Sequence, residues 1–456
     1  MQNHYVALTE ILDSRSVINT DAIDVRYHVD WGGVNPCAPS LVLRPEDSTA
    51  LSKALNYCNE QGLAVVTQGG MTGLSSGATP LVGEIALSLE RINGITELDC
   101  EGMTMTVKAG TPLQVIQQAA EDVGLRFPLD LGARGSCQIG GNVATNAGGN
   151  QVVRFGSARA LVLGMEVVLA NGTVMRSMNK MIKNNAGYDL KHLFIGSEGT
   201  LGVITELVLR LYPAKKTQQT ALCALPDFAS TTTFLREIMA EIPGVTSFEV
   251  MWQNYVNAIC EVNEQVRQPF DEQHAIYVLL EAEGCTQDQF HQALFDKMED
   301  GLVSDALVAS SLKDSDAFWA IRDGVADLMA GLNGFATFDV GLPISSMEDF
   351  VAATDNALQA RFSNINNLPL GHIADGNLHF ITWTGDPADV KPIYDTVYEV
   401  VHQFDGTVTA EHGIGMSKRE YLPLCRSSEE LELMRVLKKT MDPKGILNSG
   451  RIFLDE

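Results

Sequence analysis

Two long glycine-rich stretches, QGGMTGLSSGATP (68–80) and GARGSCQIGGNVATNAGG (132–149), each follow an apolar run. They constrain the fold more than any other feature, because glycine tolerates φ > 0 and lets the backbone approach a ligand closely. Loops of this kind can turn several N–H donors toward one anionic group such as a diphosphate. Between them they hold a single basic residue, Arg134, so the backbone would do the binding. Neither stretch fits G-x-x-x-x-G-K-[ST], and neither is a G-x-G-x-x-G with an acidic residue about 20 positions on. That argues against a P-loop nucleotidase and against an ordinary NAD enzyme. Glycines in one loop can simply make tight turns. Two such loops point to a ligand without naming it.

The flanking sequence reads as mixed helix and strand. LVLRPEDSTALSKALNYCNEQGLAVVTQGG (41–70) predicts a strand, a helix opened by Asp47 or Ser48 and closed near Gly62, and a strand entering the first glycine loop. MEVVLANGTVMR (165–176) carries an Asn171-Gly172 pair that favours a type I′ hairpin. TLGVITELVLRLYP (200–213) alternates Val203, Thr205, Leu207, Leu209 and Leu211 against its other face, the pattern of a half-buried strand ended by Pro213. Beyond Pro213 the glycine-rich character fades. Strand-like runs such as TALCAL and AIYVLLEAE then alternate with helical stretches such as FASTTTFLREIMAEI. A boundary near 213 follows.

With 456 residues and a prior of roughly 150 residues per domain, two or three domains are expected. A formal net charge of −25 repels phosphate backbones and anionic lipid, so nucleic acid is not an expected partner. The N-terminus MQNHYVALTEILDSRS lacks the basic and apolar regions of a signal peptide. The longest greasy run, ALVLGMEVVLA (160–170), is too short for a bilayer and is interrupted by Glu166, so no transmembrane segment is expected. Eight cysteines without a C-x-x-C pair favour reduced thiols and a cytoplasmic location.

The histidines concentrate late in the chain. In GHIADGNLHFITW (371–383) His372 and His379 flank an Asp-Gly pair, which disfavours a helix and suits the centre of a two-residue hairpin. With Asp375 and Gly376 as that centre, His372 faces His379, and directly opposed Cβ atoms stand ~5 Å apart. Two imidazoles can then converge on one ion, although stacked or hydrogen-bonded imidazoles remain open. A second supply of ligands is TVTAEHGIGMSKREYL (407–422), whose apolar start suggests a strand ended by Gly413. Glu411 and His412 should then project in different directions.

VVTQGGMTGLSSGATP, PLDLGARGSCQIGGNVATNAGG, FGSARALVLGMEVVLANGTV and NNAGYDLKHLFIGSEGTLGVITELVLRLYP, in this order, resemble the FAD-binding domain of the vanillyl-alcohol oxidase/PCMH flavoprotein family. The later segments resemble that family's FAD-linked oxidase C-terminal domain, in the D-2-hydroxyacid dehydrogenase group. The likeness runs from about residue 25 to 453. It is first to the D-2-hydroxyglutarate branch and extends to D-lactate dehydrogenases and the FAD subunit of glycolate oxidase. The fold implied is α+β: a two-subdomain PCMH-type FAD-binding domain over 1–213 and a substrate and metal-binding domain over 214–440. The segment 441–456 would return to the FAD domain.

The resemblance also implies a site. Gly69, Gly70, Thr72, Gly73 and Leu74 would cradle the diphosphate of a noncovalent FAD. Pro128, Ser136, Gly140, Gly141, Asn142, Thr145, Gly148 and Gly149 would line the cofactor, with Gly202, Val203 and Ile204, and Asn448 near the isoalloxazine. Where the family motif usually reads N-P-G-K, this chain has Asn448-Ser449-Gly450-Arg451, which keeps the positive charge. His372, His379 and Glu411 would hold a divalent metal. Three protein ligands leave an open position, as in catalytic zinc sites, and imidazole with carboxylate suits zinc first without excluding manganese or iron. His412 matches the general base and substrate contact. Arg322, in DAFWAIRDG, matches the arginine that binds the substrate carboxylate; a helix-surface ion pair with Asp323 or Asp327 is its plainer reading.

The expected reaction is oxidation of a D-2-hydroxy acid to the 2-oxo acid by hydride transfer to flavin N5. D-2-hydroxyglutarate is the first choice of substrate. D-lactate or another D-2-hydroxy acid with an uncharged side chain follows, because Thr337 stands where that branch has a lysine, and Ala326 and Ile381 are apolar where polar contacts are expected. Electrons would pass on to a quinone, a cytochrome or an electron-transfer flavoprotein, and relatives are commonly dimers. A flavin-free metallohydrolase using the same three ligands, a redox-inactive FAD-binding protein and an oxygen-reducing oxidase stay open as rivals.

Overall fold

Asp47 opens the first long helix as its sequence predicts. Its side chain accepts from the N–H of Ala50, the helix runs Ser48–Gln61, and Gly62 closes it in the left-handed conformation at φ 66°. The computed structural model describes residues 1–215 and 217–454 and divides into two compact units. One comprises Met1–Gly149, Phe155–Ala214 and the chain from Glu411 onward; the other comprises Asn150–Arg154 and Lys215–Ala410. The C-terminal return begins at Glu411, so 411–440, assigned to the second domain from sequence, packs with the first unit.

In the first unit, β1 (Val17–Asn19), β2 (Leu41–Leu43), β3 (Val65–Gln68) and β4 (Ile85–Ser88) form a sheet in the order β1-β2-β4-β3. A second, antiparallel sheet uses β5 (Ile95–Asp99), β6 (Thr104–Lys108), β8 (Val162–Val168), β9 (Val174–Ser177) and β10 (Val203–Arg210) in the order β5-β6-β10-β8-β9. The short strands β7 (Leu125–Arg126) and β11 (Tyr212–Pro213) pair with each other. β10 departs from its expected half-burial. Ile204 and Val208 on its other face are as buried as Val203 and Leu207, while Glu206 and Arg210 on that face stay partly exposed. The β8–β9 hairpin forms, but not through a two-residue turn. Leu169 N–H donates to Thr173 O and Gly172 N–H to Leu169 O, leaving a three-residue loop, 170–172, with Gly172 at φ 81°. This is a turn closed by a left-handed glycine, the next commonest hairpin solution.

The second unit is built on a seven-stranded antiparallel sheet. Its strands are β12 (Gln218–Leu225), β13 (Val245–Trp252), β14 (Ile276–Glu283), β15 (Asp305–Val308), β16 (Phe335–Gly341), β17 (Asn366–His372) and β18 (Asn377–Trp383), in the order β15-β12-β14-β13-β17-β18-β16. Helices Gln253–Val262, Leu312–Asp323 and Val325–Ala330 cover the face that carries Met251, Leu370 and Ile381. Side chains alternate along a strand, so two residues further on that same face is where β13, β17, β18 and β16 place their polar residues. Among the described residues no helix is long and apolar enough to cross a membrane, and all eight cysteines are free thiols.

Candidate active site

The first unit encloses a cavity of about 360 Å³ walled by the glycine loops. β3 ends at Gln68 and releases Gly69–Gly73 toward the second loop, where only a glycine fits at position 70. A Cβ there would stand 2.1 Å from Ser136 O and 2.9 Å from Cys137 Cα. Gly141 has nothing within 4 Å of a would-be Cβ, and at Gly69 the nearest atom is Gln138 Oε1 at 3.5 Å. Much of the wall is therefore bare backbone facing open space, the surface a diphosphate and its flanking rings require. Gln138 Oε1 and Thr67 Oγ1 are buried in lining residues and hydrogen-bonded to no described atom. Polar atoms of this kind are commonly satisfied by a ligand or water. The residues present fit FAD.

Gly69, Gly70, Thr72, Gly73 and Leu74 line this cavity, as do Gly140, Gly141, Asn142, Thr145 and Gly148. Gly202, Val203, Ile204 and Asn448 complete that group. Pro128, Ser136 and Gly149 fall outside the lining: Ser136 backs Gly70, and the Gly149 N–H donates to Glu411 Oε1 at 2.8 Å. Replacing Gly70 with alanine forces backbone against backbone, a strain of at least ~1–3 kcal/mol. The variant is expected to be recovered with little flavin, read as the ratio of flavin to protein absorbance. Gly141→Ala, which clashes with nothing in the protein, should fold normally and lose only cofactor affinity.

Sequence reasoning missed two carboxylates in this wall. Glu198, in the run Gly-Ser-Glu-Gly, sits at φ 52° and accepts the N–H groups of Ile414 and Gly415, each at 2.8 Å. Burial pushes its carboxyl up, while these two N–H groups and Lys418 offset part of the rise. Its carbonyl accepts from Asn448 Nδ2, and Asn448 Oδ1 accepts from the N–H of Thr67. The tail that brings Asn448 here is fixed by Lys438 Nζ, which donates to Asp442 Oδ2, Thr200 O and Leu447 O. Ser75 Oγ lies 2.8 and 2.9 Å from the carbonyls of His412 and Gly413. The segment carrying Glu411 and His412, which both line the cavity, is thus anchored through its backbone.

Asp30 is the second, and no local sequence signal marks it. Burial raises its carboxyl to about 6, against nearby N–H groups of Ala78, Gly32 and Ser76 that pull the other way. Between the unfolded value near 4 and about 6, the folded protein holds a proton that the unfolded chain has lost, so stability falls as pH rises through that window. Asp30→Asn removes this term. Its stability advantage over wild type should grow by roughly 1.4 kcal/mol between pH 5 and pH 7.5. Denaturant unfolding of both proteins at the two pH values measures it, and a constant difference would contradict it.

The second unit holds the histidines. Leu370, not His372, pairs with His379, because residues 373–375 make a 3-10 turn and Gly376 takes φ 87° instead of joining Asp375 in a two-residue turn. The register is displaced by two residues from the expected one. A shift of two preserves the face, whereas a shift of one would have turned every side chain over. His372 and His379 therefore still meet, as diagonal neighbours with ring centroids 5.3 Å apart and planes at 84°. Glu249 on β13 is the register partner of His372, and Asp339 on β16 that of His379.

These partners make a linked cluster. Glu249 Oε1 lies 2.7 Å from His372 Nδ1, and its Oε2 accepts from Arg322 Nε at 2.9 Å. Arg322 Nη2 is 3.0 Å from His372 Nε2, and Nη1 reaches Asp323 at 3.2 Å. The ion pair with Asp323 exists, but it is secondary to the buried one with Glu249. Burial alone would raise the Glu249 carboxyl; the electrostatic pull and hydrogen bonds of His372 and Arg322 outweigh it and hold it at about 2. Tyr255 Oη donates to the carbonyl of Arg322 at 2.7 Å and fixes the end of that helix. Asp339 Oδ2 accepts from Thr409 Oγ1 and from the N–H of Ala410. The stretch 407–410 is not the expected strand; only an isolated bridge, Gly341 to Thr407, forms there. Glu411 follows Ala410 directly.

Residues 39–177 match the model of the FAD binding domain, and residues 214–452 that of the FAD linked oxidases, C-terminal domain. The chain belongs to the FAD-linked oxidase family, with a PCMH-type FAD-binding domain. It is 37% identical to the D-2-hydroxyglutarate dehydrogenase of Xanthomonas citri pathovar viticola, over 96% of this chain and 94% of that one. It is 36% identical to the probable mitochondrial D-2-hydroxyglutarate dehydrogenase of Oryza sativa subspecies indica, over 96% of this chain and 79% of the other. Its fold is similar to that of p-cresol methylhydroxylase with substrate bound, at a TM-score of 0.78 and 16% identity, over 100% of this chain and 97% of that one.

Proposed function

We propose that this chain is an FAD- and metal-dependent dehydrogenase that oxidises a D-2-hydroxy acid, D-2-hydroxyglutarate first, to the 2-oxo acid. The observation that carries the reading is the pair of imidazoles of His372 and His379 on one sheet face, with the Arg322 guanidinium 3.0 Å from one of them. Two neutral nitrogen ligands beside a cation able to grip a carboxylate are what a 2-hydroxy acid calls for. When bound, FAD supplies the hydride acceptor, N5, that no side chain can provide. A divalent ion held by His372, His379 and Glu411, zinc before manganese or iron, would lower the pKa of the substrate hydroxyl.

The chain's own residues do the rest. Arg322 binds the substrate carboxylate through two parallel hydrogen bonds. His412, in the wall of the flavin cavity, takes the hydroxyl proton as the Cα hydrogen leaves as hydride. The proton would end on the His412 imidazole; a bound FAD would supply the acceptor for the electron pair, with a quinone, a cytochrome or an electron-transfer flavoprotein as the onward acceptor.

D-lactate or another D-2-hydroxy acid with an uncharged side chain is the second reading, and one observation favours it. Thr337 and Ile381 are register partners on the same face as Asp339 and His379, two residues along, and neither offers a charge to a distal carboxylate. Ranking D-2-hydroxyglutarate and D-lactate by kcat/KM with a dye acceptor decides between them. A ratio favouring D-lactate would replace the first choice and leave the chemistry intact.

A further inference from the structure

We propose that Glu249 is a positioning residue that sets two groups at once: it presents Nε2 of His372 to a divalent cation and holds Arg322 by Nε, so that its outer edge can grip a substrate carboxylate. The inference rests on the function proposed above and deepens it. A carboxylate only accepts hydrogen bonds, so the 2.7 Å contact to Oε1 puts a hydrogen on His372 Nδ1. The lone pair of the neutral ring is then on Nε2, the atom facing Arg322. A carboxylate behind a metal-binding imidazole fixes the ring's tautomer and orientation and raises its basicity.

The other oxygen, Oε2, takes the Nε–H of Arg322 at 2.9 Å. One lone pair cannot serve both a cation and Arg322 Nη2, so ion binding at Nε2 turns Nη2 away while Glu249 keeps the guanidinium anchored by Nε. The backbone enforces the arrangement. Glu249 and His372 are register partners on adjacent strands, and Glu249 is 2% exposed, so neither oxygen is shared with bulk water. A carboxylate placed here only to bury an ion pair would affect folding stability and nothing else.

The test uses the purified flavoprotein, with zinc chloride alone as the first probe and a competing chelator to read affinity. At saturating zinc, anaerobic flavin reduction against D-2-hydroxy acid concentration then separates half-saturation from limiting rate. For Glu249→Gln, whose amide accepts at only one of the two positions, zinc affinity should fall ~10–100-fold. Half-saturation should rise by more than the limiting rate falls, with flavin content unchanged. Glu249→Asp, which keeps the charge but draws it back by one methylene, should shift in the same direction if the glutamine variant folds poorly. Zinc affinity and half-saturation equal to wild type, with only a lower melting midpoint, would overturn the proposal. Wild-type protein that takes no zinc, or whose flavin no D-2-hydroxy acid reduces, would remove the underlying reading and this inference with it, before any variant is made.

Discussion

His412→Ala should give a protein that is still yellow and still binds a divalent cation, yet whose flavin is reduced by D-2-hydroxy acids ~10²–10⁴-fold more slowly. The retained colour follows from how the segment is held. Ser75 contacts the carbonyls of His412 and Gly413, and Glu198 takes the N–H groups of Ile414 and Gly415, so all of these anchors involve backbone atoms that alanine also has. What the change removes is the imidazole, and with it the acceptor for the hydroxyl proton. Anaerobic stopped-flow absorbance reads the rate, and the flavin spectrum reads the fold. An unchanged rate would deny His412 its role as base, and loss of flavin would make it structural.

Removing the cation should cost several kcal/mol of barrier, or roughly 10²-fold or more in rate, since ionising the hydroxyl then lacks its main electrostatic support. Dialysis against a chelator should therefore suppress flavin reduction, and zinc or manganese should restore it. His372→Ala should show the same loss without rescue by added metal, because one of the two imidazole ligands is gone while Arg322 still pairs with Glu249. Full activity after chelation, with metal content measured at zero, would contradict the reading.

Local chemistry made part of this site readable from the sequence. The glycines at 69, 70, 140 and 141 mark backbone that must stay bare, and they line the cavity. Asp47 and Gly62 bound their helix because capping acts within a few residues. Turn type was harder. Both Asn171-Gly172 and Asp375-Gly376 suit a two-residue turn, but in each hairpin only the glycine adopts φ > 0 and the loop is longer, which moved the histidine register by two. The histidine pairing survived because face, unlike register, depends only on parity. Glu249 had no signal at all: it lies 123 positions before His372 and is brought beside it by a strand pairing that no short window encodes. Asp30 and Glu198 were missed for the same reason, since burial against distant N–H groups defines their behaviour.

The central claim is best tested by mixing the flavoprotein anaerobically with matched D- and L-2-hydroxy acids while following flavin absorbance, with cation present and again after chelation. The D-enantiomers should bleach the flavin when cation is present, and the L-enantiomers should leave it oxidised. A flavin that no D-acid bleaches in the presence of metal, or that both enantiomers bleach equally, would contradict the account.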